Sequence, residues 1–82
     1  MPGLKSIDPL DRPAHIHPLM WKIMVTRVER NISQEALARR AKMGRDKLAS
    51  METGNTKMGA LYDLSNLADA LGMKILIVPK GA

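Results

Sequence analysis

Between Arg39 and Lys47 five cations, Arg39, Arg40, Lys42, Arg45 and Lys47, stand against one anion, Asp46. Ammonium and guanidinium groups at this density recognise arrays of anions, and a planar guanidinium can also grip two acceptors at once. The whole chain leans the same way: 13 Lys plus Arg against 8 Asp plus Glu give a formal charge of +5. That balance favours a polyanion as partner. Taken without its flanks, such a cluster is an ordinary solvated helix face. The elements that carry it decide between the two readings.

Other chemistries find less support. The chain has no cysteine, which removes disulfides, thiolate zinc sites and cysteine nucleophiles together. His15 and His17, two residues apart with only scattered carboxylates nearby, fall short of a four-ligand metal site. They read as loop histidines, and neither metal nor cofactor is expected. There is no glycine-rich phosphate loop and no carboxylate cluster at metal spacing, so an enzyme is not expected either. The 82 residues, 45% apolar and 26% charged, suit one small globular domain. No apolar run approaches the roughly 20 residues of a membrane helix, and the prolyl N-terminal stretch lacks a signal-peptide core. A cytoplasmic protein without membrane attachment is expected.

Stepwise along the chain, Pro2, Pro9, Pro13 and Pro18 each remove a backbone donor, so residues 1–18 read as an extended proline-rich arm, whose Leu4, Ile7, Leu10 and Ile16 leave open docking on the body or on a second subunit. Residues 19–72 read as the folded domain. Pro18 suits the first position of a helix running to Asn31. Trp21, near its start, either anchors a partner or packs the arm or a dimer seam. Ser33 is an N-cap for a second helix over Gln34–Lys42. Gly44 marks a break, and a short third helix over Arg45–Thr53 stops at Gly54. Leu61, Leu64, Leu67, Ala68 and Leu71 recur at amphipathic spacing over Ala60–Leu71, with Gly72 as the stop. With seven methionines and no phenylalanine, Met43 and Met51 are expected to fill core volume.

Residues 73–82 form a C-terminal strand and tail. Met73–Val78 reads MKILIV, strand-like in composition and stopped by Pro79. A lone strand leaves its donors and acceptors unpaired. The same strand of a second subunit is the favoured partner, with the prolyl arm as the intramolecular one. Met73, Ile75, Leu76, Ile77 and Val78 would then form a homodimer interface.

Two short helices joined by a glycine-containing turn, the second flanked by cations, match the arrangement that places one helix in the DNA major groove. The segment Ser33–Gly54, SQEALARRAKMGRDKLASMETG, resembles the helix-turn-helix of the Cro/C1 or XRE family, and Ala60–Gly72, ALYDLSNLADALG, is similar to that family's following helix. The resemblance implies an all-α fold, a compact four-helix lambda-repressor-like domain, here with the arm and the terminal strand added. A terminal strand pairing across a dimer is similar to the antitoxin subset of the family. The implied function is a DNA-binding regulator, with repression of an inverted-repeat operator as the first reading. An antitoxin holding a toxin protein and regulating its own operon is the alternative.

By position, the resemblance implies that Gln34 clamps a phosphate and that Arg45, Asp46, Lys47 and Ser50 face base edges. Arg45 can fork onto guanine, and Lys47 can reach a base or a phosphate. Asp46 either accepts from a cytosine amine or caps the third helix and orients its neighbours, the structural role being favoured. Arg40, Lys42 and Gly44 flank the reading helix, and Thr53, Asn55 and Thr56 line the loop after it, against phosphates. Arg27 and Glu52 match a pair that ties the first helix to the third. Lys42 stands where the family's turn glycine usually lies, Gly44 where a Ser or Thr cap is common, and Thr26 where the first helix usually has a leucine. The turn geometry is therefore expected to differ from the family's.

Overall fold

The computed structural model describes residues 10–54 and 60–81. Four helices follow one another: α1 over Pro18–Glu29, α2 over Gln34–Arg40, α3 over Arg45–Glu52 and α4 over Ala60–Ala70. Helix α1 packs on α3 and α4, and α2 packs on the same two. Because α1 is covered on two sides, it buries Met20, Trp21, Ile23, Val25, Thr26, Arg27 and Val28 and shows no single apolar stripe in sequence. Trp21 is therefore a core residue. Thr26 is tolerated inside because its hydroxyl donates to the Lys22 carbonyl at 2.7 Å, one turn back. Leu37, Leu48 and Leu67 are fully buried at the centre, and Met51 joins them. Met43 packs against the cluster's edge.

The starts of α1 and α2 each use a side-chain cap. Pro18 is the first helical residue of α1, and the His17 ring accepts from the Leu19 N–H through Nδ1. Ser33 Oγ accepts from the Ala36 N–H at 3.0 Å. Gly44 precedes α3 without a side-chain cap. Helix ends share one geometry. After α1, α2 and α4, the residues Asn31, Lys42 and Gly72 take positive φ. The N–H groups of Ile32, Met43 and Met73 then reach back to the carbonyls of Arg27, Ala38 and Ala68. This is the left-handed exit that closes orphan carbonyls and turns an apolar residue back onto the helix. Ile32, Met43 and Met73 do pack against the core. The sequence expectation overran α1, α2 and α4 at the C-terminal end for this reason: the terminal residues belong to the cap.

Lys42 occupies its left-handed position at φ 59°, so the turn keeps the conformation for which glycine is suited even though lysine stands there. A Cβ at this φ is strained, while the side chain is exposed. Lys42→Gly is expected to raise stability by about 1 kcal/mol, the relieved strain being partly offset by the freer unfolded chain. Thermal melting should show a rise of about 4–8 °C for a domain of this size.

The strand expectation needs correction. Among the described residues no strand forms: residues 73–79 are neither helix nor strand. A strand is defined by a neighbouring backbone, and the described residues offer none to this segment. Met73 and Ile75 instead pack against the chain's own core, while Leu76, Ile77 and Val78 are exposed, Ile77 at 91%. Within the expected arm, residues 1–9 lie outside the described residues. Residues 10–17 dock on the body: Ile16 N–H donates to the Pro13 carbonyl at 3.0 Å, and Ile16 is buried in the core. His15 lies over the loop after α3, close enough that a Cβ on Gly54, whose φ is +89°, would meet the His15 ring at 2.7 Å. Leu61, expected on the apolar stripe of α4, is exposed.

Candidate nucleic-acid interface

Helix α3 is divided lengthwise. Leu48, Met51 and Glu52 face inward, while Arg45, Asp46, Lys47 and Ser50 are exposed, as the 3.6-residue period requires of an eight-residue helix with one apolar side. Arg40, Lys42 and Gly44, in the end of α2 and the turn, are also exposed, as is Thr53 at the far end. The expected cations thus share the surface around the start of α3, whose first N–H groups add positive dipole. Asn55 and Thr56 lie outside the described residues.

The individual placements refine the expectation. Arg45 is solvent-facing, with its guanidinium 3.7 Å from the exposed Asp46 carboxylate. Asp46 does not cap α3, whose capping position is Gly44 without a side-chain bond; of its two expected structural roles only the loose contact with Arg45 is present. Thr53 Oγ1 donates to the Ser50 carbonyl at 2.8 Å. Lys47 is held by Asp63 of α4, Nζ to Oδ2 at 2.8 Å. Sequence reasoning missed Asp63: nothing in local spacing relates it to Lys47, and the pair exists only because α4 passes beside the first turn of α3.

Beneath this surface lies a buried polar network. The Arg27 guanidinium donates to both Glu52 carboxylate oxygens, at 2.7 and 2.8 Å, and to the Ile32 carbonyl at 2.8 Å. Both side chains are almost fully enclosed, at 6% and 5% exposure. Gln34 Nε2 donates to the same carboxylate at 2.9 Å. One carboxylate therefore joins the end of α1, the start of α2 and the end of α3. Buried charge at this depth is tolerated because its hydrogen-bonding capacity is satisfied, and among the described residues no buried side-chain polar atom lacks a partner. Gln34, expected to clamp a phosphate, is half-buried and oriented by Glu52, with one amide hydrogen given to that bond and a second to spare.

The histidines have local tasks, one capping α1 and one covering Gly54. No group of three or more potential metal ligands occurs among the described residues, and no helix there is long and apolar enough to cross a membrane. A family model described as a helix-turn-helix domain matches residues 25–75, from the middle of α1 through α4 to Ile75. No curated protein and no solved structure is matched by the chain.

Proposed function

The chain belongs to the helix-turn-helix domain family, and from that premise we propose that it is a sequence-specific DNA-binding transcriptional regulator, a repressor acting as a homodimer on an inverted-repeat operator. The observation that carries this reading is the lengthwise division of α3, which turns Arg45 and Ser50 outward while Leu48 and Met51 seat the helix on α1 and α2. Such a helix can be pressed into a major groove without unfolding its own core. Arg45 reads a base by its fork, Gln34 and the flanking cations fix the register on phosphates, and the two roles differ in what they confer. The exposed Leu76, Ile77 and Val78 support association of two copies, since a contiguous apolar patch on a small domain favours burial. Two copies of α3 would then meet successive major grooves about 34 Å apart.

Binding to a labelled fragment of the protein's own promoter and to a scrambled duplex, measured by fluorescence anisotropy at two salt concentrations, tests the proposal. Tighter binding to the promoter that weakens steeply with salt is expected. Equal binding to both, indifferent to salt, would refute it. Arg45→Ala should cost about 1–3 kcal/mol at one base pair and relax preference there. Gln34→Ala should weaken promoter and scrambled duplex alike, because a phosphate contact is blind to sequence.

A further inference from the structure

Of the cations that α3 turns outward, Lys47 differs from Arg45 in being engaged by another helix. Its ammonium lies 2.8 Å from Asp63, whose side chain is only 18% exposed, while Lys47 itself is 55% exposed. The two meet across a groove of about 640 Å³ that Arg40, Lys42 and Tyr62 also line. We infer that Asp63 withholds Lys47 from the phosphate backbone and so sets the strength and salt dependence of DNA binding, an inference that rests on the reading above.

The argument is one of charge compensation. An ammonium paired at this distance has its charge largely neutralised and displaces few of the counterions condensed on DNA. Leaving Asp63 for a phosphate exchanges one anion for another, and strands a mostly enclosed carboxylate without its partner. Lys47 therefore stays. With Asp63 neutral, Lys47 is an uncompensated cation in the first turn of α3, where the helix dipole already disfavours positive charge. A phosphate is then its best available partner, and the binding surface gains one working cation.

Salt titrations of the full chain on a mixed-sequence duplex test this with Asp63→Asn, Lys47→Gln and the two combined. Asp63→Asn is expected to tighten binding at low salt and to steepen the slope of log K against log salt by about 0.9, the value for one added phosphate contact. Lys47→Gln alone should keep the wild-type slope, and the combination should return to it. An unchanged slope in Asp63→Asn overturns the inference, as does a shallower slope in Lys47→Gln. Steepening that survives in the combined variant assigns the effect to general repulsion by Asp63 and overturns it too. Thermal melting of each variant reads folding separately, and Lys47→Gln carries the test by itself should Asp63→Asn not fold. Failure of the wild-type chain to bind the duplex at low salt would instead remove the DNA-binding reading.

Discussion

Glu52→Ala is expected to destabilise the fold by about 3–5 kcal/mol, because it leaves the Arg27 guanidinium buried without its counter-charge. A domain of 82 residues holds about 4–12 kcal/mol in total at the usual per-residue stability, so the loss removes from about a quarter to the whole of it. The loss goes beyond one ion pair. Glu52 also accepts from Gln34, so the hydrogen bond between the start of α2 and the end of α3 disappears with it. Urea denaturation should show the midpoint falling with little change in slope, since the unfolded surface is the same. Arg27→Met combined with Glu52→Leu is expected to recover most of the stability, as apolar replacements of a buried pair often do. A Glu52→Ala protein as stable as wild type would show that the pair contributes little and that the packing around it holds the three helices.

Leu48→Ala should cost about 2–5 kcal/mol. Leu48 is fully buried on the underside of α3, whose helix packs on both α1 and α2, and truncation opens a cavity under the helix that carries the exposed cations. Its effect on DNA binding should follow the folded fraction and recede on mild cooling. Arg45→Ala should behave oppositely, lowering affinity with an unchanged melting temperature, because Arg45 is exposed. Comparing melting curves with binding isotherms for the two variants separates a support of the helix from its reading surface. A Leu48→Ala chain that melts with wild type would mean that the core closes around the lost methyl groups.

Much of the site was legible because its signals are local. The N-cap at Ser33, the glycine stops at Gly54 and Gly72, and the inward spacing of Leu48 and Met51 can be read within a turn or two of chain. The Arg27–Glu52 pair, 25 residues apart, was reachable only through the family resemblance. Its third member, Gln34, reads in sequence as a phosphate contact, and only the fold brings its amide onto Glu52. At the turn, lysine takes the left-handed conformation that glycine favours, and two backbone bonds close the helix exit around it.

The strand expected at Met73–Val78 marks the opposite limit. Its composition was read correctly as apolar and β-branched, but a ladder requires a second backbone, and the residues instead divided between the chain's own core and solvent. Sequence by itself determined where the helices start, that Leu48 and Met51 turn inward and which cations cluster at the turn, since each depends on neighbours within a few residues. Only the tertiary structure decided that Asp63 holds Lys47, that Ile16 enters the core and that His15 covers Gly54. Those pairings depend on how helices and loops cross in space, and no short-range pattern in the chain encodes the crossing.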